Sequence, residues 1–452
     1  MSELVAVATR RSGSFRVLST LRVMAARWRH VRDVVVVRWN LLGGLGSDGL
    51  LYGAAALFSL ALAETSTQSA QWQWGYLAAG PYALAAIVAF LALRRGVRRE
   101  HLVRVLLLGL VLLGAVLLPL GLEAHWRQLN HGHGDAQPEV GVIERSGALL
   151  SKGQDPYRAY SSHGRVVNQI PGLPAYESFF PYFPLMGVFG LPSAATHQSR
   201  GLTDARIIMT LMTLVASGWA LALLRLSRDW KLRVAQALVV LPTGALFLAT
   251  GGDDMPILAL LLLGVAALER RQTNLAGVSM GLAAAMKLTA WPLAAGALLV
   301  TRDGQGRPNW KRLLTWTAVI VAVTTVPFIF HAPGAFVSNV FAFPLGLAGV
   351  ASPAASDLPG HLLTTWWPVL GHVLAPVTLV IVGYIGARYA RRHWPLTLSQ
   401  LLGMMSVVYA AMICVASATR FGYVIYPLNF AVWSLATRER VAVAPELVAQ
   451  LR

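Results

Sequence analysis

One cysteine, Cys414, stands in 452 residues. That excludes an intrachain disulfide, so no outward segment is stapled. In its apolar run Cys414 reads as a small core or lipid-facing residue. Charge is scarce as well: 13% of the residues are Asp, Glu, Lys or Arg, against roughly 25% in soluble domains. With 56% hydrophobic residues, this excludes a water-soluble globular chain and leaves a polytopic membrane protein. Acidic residues are scarcer than basic ones, 20 against 38, for a net charge of +18. The placement of that excess excludes nucleic acid as a partner. It falls in short loops between apolar runs, the pattern that keeps basic loops on the cytoplasmic side of a membrane. Attraction to anionic membrane lipids is its second effect. No clear internal repeat is visible, and many transporter folds are built on repeats.

What is present is a series of apolar runs. They lie near 41–63, 74–93, 105–122, 207–224, 234–250, 255–268, 275–286, 288–301, 313–330, 369–387, 398–416 and 421–437. They predict an all-α, multi-pass membrane protein with about 12 or 13 transmembrane helices, although several runs fall short of the ~20 residues a full crossing needs. A further short run at 181–192 reads as re-entrant or interfacial. Basic clusters at Arg94–Arg104, Arg225–Arg233, Arg270–Arg271, Arg302–Arg312 and Arg388–Arg392 mark inside loops. Alternation puts both termini in the cytoplasm. It turns four polar segments outward: the long loop 123–203, Gly251–Asp254, 331–367 and the surroundings of Arg420. The expected organisation is a cytoplasmic basic tail 1–40, an N-terminal transmembrane hairpin 41–100, a membrane domain 101–437 and a cytoplasmic tail 438–452. The first of these is too long and too basic for a cleaved signal peptide.

Two anomalies break the apolar pattern. Lys287 sits inside the stretch 275–300, and Gly251-Gly-Asp-Asp254 separates two other runs. An ammonium at membrane depth costs about 2.5–3.5 kcal/mol even on the lenient insertion scale, so something anionic or polar meets it. The limbs 275–286 and 288–301 must rise from inside and return inside, which makes Lys287 their turning point. Irregular backbone at that depth is tolerated where it lines a cavity or is buried in protein.

The loop 123–203 is too long for a plain connection. Pro138 suits the first turn of a helix, and Val140, Ile143, Gly147 and Leu150 share one face at helical spacing. This predicts a short amphipathic helix that ends at Lys152-Gly153, before the turn Asp155-Pro-Tyr157. Glu139 stands at its first turn, where the helix end favours a carboxylate.

The acidic residue ahead of a small-residue helix, followed by Leu149-Leu-Ser-Lys-Gly-Gln-Asp-Pro-Tyr157, resembles glycosyltransferase family 87, a bacterial group within the C-type glycosyltransferases. Phe180-Pro-Tyr-Phe-Pro184, Gly251-Gly-Asp-Asp254 and Ala276–Lys287 follow in the same order, so that the similarity covers roughly residues 100–435. The resemblance implies a C-type fold and a polyprenyl-phosphate sugar donor, most often polyprenyl-phosphate-mannose. It implies a glycolipid or cell-envelope glycan acceptor, and an acidic catalytic base in the first large outward loop. The family pattern has Asp where this chain has Glu139, and two spans here precede the one that leads into the loop.

The chemistry gives each candidate a task. Transfer from a lipid phosphate to a hydroxyl needs a carboxylate within hydrogen-bond reach of the acceptor, and cations where charge grows on the departing phosphate. Glu139 is the expected base, with Asp135 and Glu144 as alternatives. Lys287 and Arg420 are the expected phosphate cations. Asp253, Asp254, His361, Asp155 and Tyr157 complete the substrate-binding set. Each has a plainer reading. Glu139 is also a good helix-start carboxylate, Asp253-Asp254 could cap the next helix, Lys287 could snorkel, and Asp155-Pro-Tyr157 could simply fix the loop. No metal site is assigned. His131 and His133 in a Gly-rich loop are a weak ligand set, and a divalent cation at the Asp pair stays an open alternative. The other functional class is a transporter or lipid flippase, which would also use intramembrane charges but has no need of the carboxylate-bearing loop helix. Donor sugars other than mannose, namely arabinofuranose, glucose and galactose, are not distinguished by these residues.

Overall fold

The computed structural model describes residues 43–162, 165–196, 200–350 and 354–450. The basic tail 1–40 lies outside the described residues. The apolar runs fold as helices, as expected, and the one sheet among the described residues is a two-stranded hairpin, β1 (Tyr160–Ser162) against β2 (Arg165–Val167).

The longer helices in chain order are α1 (Gly43–Thr65), α2 (Ser69–Arg94), α3 (Glu100–Leu129), α4 (Pro138–Leu150), α5 (Ala205–Leu223), α6 (Arg228–Val240), α7 (Pro242–Thr250), α8 (Asp254–Glu269), α9 (Thr273–Ala284), α10 (Trp291–Val300), α11 (Trp310–His331), α12 (Leu374–Arg392), α13 (Leu398–Val415) and α14 (Ile425–Gln450). By length and composition six of the described helices can cross a membrane: α1, α2, α3, α5, α11 and α13. A seventh crossing is made if α6 and α7, bent by 41° where Pro242 interrupts the hydrogen-bond ladder, count as one. This corrects the count of 12 or 13. Many apolar runs become helices too short for the job. The 16 residues of α8 rise about 24 Å, less than the ~30 Å of a bilayer core. Every residue of α8 from Met255 to Ala267 is buried. A helix apolar all round belongs inside a bundle, and α8 is the bundle's axis. The short run at 181–192 forms the apolar helical segment Pro184–Ala195.

The turn at Lys287 follows the sequence expectation. Arg271 donates to the carbonyls of Asp303 and Gly304, at 3.4 and 2.9 Å, and Asn309 Nδ2 donates to Thr273 Oγ1 at 3.1 Å. Both feet of the α9–α10 hairpin therefore meet among basic loops, with Lys287 at the opposite end.

The N-terminal hairpin is fastened to the rest by polar bonds in an apolar setting. Asp48 of α1 is wholly buried. It accepts from Arg104 Nε of α3 at 2.7 Å, from Arg233 Nη1 of α6 at 2.5 Å and from Gln236 Nε2 at 3.0 Å. From α2, Trp74 Nε1 donates to the Ala115 carbonyl at 2.8 Å and Tyr82 OH to the Val240 carbonyl at 2.5 Å.

Candidate active site

Glu139 is placed by its helix. Pro138 opens α4, Glu139 stands in its first turn, and Val140, Ile143 and Gly147 are buried. The helix stops where Gly153 takes a left-handed backbone, with φ +65°. Its start is bolted to the turn that leads into α8. Gln137 N donates to the Thr250 carbonyl at 2.9 Å, and Gln137 Nε2 to Thr250 Oγ1 at 2.8 Å. Gly251 follows with φ +102°, and a Cβ there would strike Val140 and Arg206. Only glycine suits that position, for conformation and for space. At the other end of α4, Gly147 lies backbone to backbone against Gly190.

Asp253 precedes α8 but makes no capping bond. Its Oδ2 instead accepts from Lys287 Nζ at 2.9 Å, and Asp254 Oδ1 accepts from the same ammonium at 2.7 Å. Tyr426 OH also donates to Asp254 Oδ1, at 2.7 Å, and lies 2.7 Å from Thr289 Oγ1. Lys287 does not snorkel. Its Nζ lies 5.6 Å from the ring centres of both Tyr182 and Tyr423, in cation–π range. Burial alone would lower its pKa, but Asp253 and Asp254 outweigh burial and hold it above the ordinary lysine value. Two of its three N–H donors are spent on the Asp pair.

Arg420 meets the base candidate directly: Nη1 donates to Glu139 Oε1 at 2.6 Å. Glu139 Oε2 is buried and has no partner among the described residues. Burial opposes charge on Arg420, yet Glu139 raises its pKa above the usual value. The two charge clusters are neighbours. The Tyr182 hydroxyl is pushed well up by burial first, then by both Asp253 and Glu139. Lys287 Nζ packs against both Tyr182 and Tyr423, and each of these tyrosines feels charges of both clusters. Phe183 N, beside Tyr182, donates to the Met286 carbonyl at 3.0 Å and ties the aromatic segment to the lysine turn.

Residues 180–418, more than half of the chain, match glycosyltransferase family 87. The chain belongs to glycosyltransferase family 87. The family is one of glycosyltransferases, which speaks against the transporter or flippase alternative. The matched residues include Tyr182, Asp253, Asp254, Lys287 and His361. Glu139 precedes them and Arg420 follows them. No curated protein matches the chain. Among solved structures, the crystal structure of ArnT from Cupriavidus metallidurans in the apo state is similar at 19% identity and a TM-score of 0.38. The alignment covers 69% of this chain and 56% of that one, so the chain spans little more than half of that protein's length.

In this family 87 enzyme the other two carboxylates weighed as bases are occupied. Both oxygens of Glu144 accept from Arg127, at 2.9 and 2.8 Å, and Arg127 also donates to Asp204 at 2.8 Å. Asp135 accepts from Gln73 at 2.9 Å and Asn130 at 3.0 Å. Behind them Arg206 is wholly buried. It donates to both oxygens of Asp204 at 2.9 and 3.0 Å, to Glu123 at 3.3 Å, and to the carbonyls of Asp135 at 2.6 Å and Ala249 at 3.5 Å. One guanidinium therefore joins the entry to α4 with the entry to α8.

Asp155 and Tyr157 take fold-building positions. Asp155 Oδ1 accepts from Tyr157 N at 2.8 Å, and Tyr157 OH donates to the Tyr182 carbonyl at 2.8 Å. His361 Nδ1 lies 2.9 Å from the Ser417 carbonyl, beside a separate cavity of about 300 Å³. It bonds none of the other candidates. Among the described residues no group of three or more His, Cys, Asp or Glu side chains gathers as a metal site would require. The sequence reading missed Tyr182, Tyr426 and Arg206. The signal for Arg206 was an arginine at the mouth of an apolar run, two residues after Asp204. The tyrosines gave none beyond their place in the motifs.

Proposed function

We propose that this site moves a hexose, mannose in the first instance, from a polyprenyl-phosphate to a hydroxyl of a glycolipid or envelope glycan. The reaction runs on the outer membrane face, with both chain termini in the cytoplasm. It is a single displacement with inversion. The acceptor oxygen forms its bond to the anomeric carbon as the bond from that carbon to phosphate oxygen breaks. The acceptor proton passes to Glu139, and polyprenyl phosphate departs with the bonding pair.

One observation carries this reading. The Glu139 carboxylate is fixed through one oxygen by Arg420 while the other is buried and unpartnered. A general base needs a held carboxylate with one free acceptor lone pair, within reach of the proton. Arg420 spends one nitrogen on Glu139 and is 29% exposed. Its remaining donors suit the leaving phosphate, beside the base. Lys287 plays a smaller part than its sequence position suggested. It holds the Asp pair and offers its third N–H to the phosphate, while Asp253 and Asp254 accept from sugar hydroxyls. A water-poor compartment strengthens each of these charges.

The test is Glu139→Gln, which keeps size and loses basicity. Sugar transfer should fall at least about 100-fold while donor binding persists. Near wild-type transfer by this variant would remove Glu139 from the mechanism.

A further inference from the structure

α4 has a second face. Opposite its buried side lies a cleft of about 860 Å³ that contains none of Lys287, Asp253, Asp254, Arg420 or Glu139. Its floor is the helix itself, through Pro138, Gly141, Arg145 and Ala148, and then Lys152. The Gly-rich loop 131–137 forms one wall; Glu177 and the segment 193–196 form the other. We propose that this cleft is an acceptor subsite that takes an anionic saccharide, with Arg145 and Lys152 receiving its negative group. This rests on the reading of Glu139 as base.

Size and lining exclude a lipid tail. The volume is at the upper end of ordinary ligand sites, ~300–1,000 Å³, enough for more than one sugar ring. Such sites are mostly apolar, yet here Leu173 is the one large apolar side chain among the described lining residues. A prenyl or acyl chain would gain little by entering. A saccharide would find hydroxyls, imidazoles and exposed backbone. Gly141 and Ala148, two helical turns apart, keep the floor open.

Charge selects the saccharide. Arg127, though in the lining, is consumed by Glu144 and Asp204. Arg145 forms one ion pair among the described residues, with Glu177 at a loose 3.5 Å; the same nitrogen donates to the Glu177 carbonyl at 2.9 Å, and Glu144 acts on it from farther off. Burial lowers the Arg145 pKa, and Glu177 does not restore it, the mark of a cation with too little anion around it. Lys152 is exposed and has no carboxylate partner among the described residues. Arg145 follows Glu139 on α4 and Lys152 lies just past the end of that helix, so a saccharide whose anionic group is held there extends back along α4 toward its first turn. Pro138 and Gly141, which flank Glu139, both line the cleft. Phosphate and carboxylate share this chemistry.

The experiment measures binding to the full chain in detergent by ligand-observed saturation-transfer NMR. The probes are mannose 6-phosphate, methyl glucuronide and methyl mannoside. Both acidic sugars, or one of them, should bind the wild type more strongly than the neutral sugar; which one does names the anion. Lys152→Glu, a change at an exposed position, should weaken acidic-sugar binding at least about tenfold, as loss of a charge-assisted bond would, and leave methyl mannoside unchanged. Arg145→Gln should do the same. Glu139→Gln should keep the preference for acidic over neutral sugar while transfer falls, so failure of the base assignment is read separately, in transfer. Equal binding of acidic and neutral sugars, or acidic-sugar binding unaffected by Lys152→Glu, would overturn the proposal.

Discussion

Arg420 and Glu139 are 281 residues apart in the chain, and their side chains meet at 2.6 Å. The bond joins the segment before α14 to the start of α4 and closes the site as a ring of sequence-distant parts. Arg420→Gln removes the clamp on Glu139 and the cation nearest the base. Transfer should fall about 100-fold, the usual cost of losing one preorganised donor at developing charge. Arg420→Lys keeps charge without the planar fork and should recover part of that loss. Steady-state kinetics with saturating acceptor checks both.

Lys287 balances two carboxylates, Asp253 buried and Asp254 half-buried. In Lys287→Ala the Asp pair loses its counter-charge, at a cost of about 3 kcal/mol, visible as a lower unfolding temperature in detergent. Asp254→Asn in that background should restore part of the stability by removing one negative charge. If the second substitution lowers stability further, charge balance is not what Lys287 provides.

Arg206 touches neither base nor phosphate site, yet it spans the backbones that present them. Arg206→Lys cannot bridge Asp204 and two carbonyls at once. It should lower kcat by roughly 10–100-fold through misplacement of Glu139, with donor KM nearly unchanged. In a Glu139→Gln background the same change should add little. Full additivity would mean that Arg206 acts elsewhere.

Acid should loosen the same network. Burial works to raise the pKa of Asp204, but Arg206 and Arg127 prevail and hold it below the ordinary carboxylate value. A depressed folded pKa contributes stability that is present above the unfolded value, about 3.9, and lost as pH falls through the folded one. Unfolding temperature should therefore drop below about pH 4. Asp204→Asn should be less stable at neutral pH and less sensitive to that drop.

The sidedness of the site is checked by chemical labelling. With Cys414 replaced by Ser, cysteines at Ser161 and Gly304 should behave oppositely. A membrane-impermeant thiol reagent should modify the first in intact cells and the second only after lysis. Modification of Gly304→Cys in intact cells would reverse the orientation.

Much of this is legible one segment at a time. The helix at Pro138, its buried face and its glycine stop follow from local rules, as does the turning point at Lys287. Topology also brings Asp253, Asp254, Lys287 and Arg420 out on one side. Local rules do not say who pairs with whom. By its position Lys287 awaits a phosphate; in the fold the Asp pair holds it. The choice among Asp135, Glu139 and Glu144 depends on Gln73, Asn130 and Arg127, which lie in other elements. Hydropathy overestimates the number of crossings because it reports only that a segment avoids water. It does not report whether lipid or protein surrounds it, and α8 is surrounded by protein.

The bonds that converge on Asp48 bear on how the gene can be cut. A chain begun at Glu100 would keep all of the family-matched region. It would also remove Asp48, the buried anion that Arg104 and Arg233 share, and leave Arg104 only its pair with the exposed Asp229. Such a fragment should misassemble in the membrane even though every candidate site residue is present. The first hairpin is better regarded as a keystone than as a removable leader.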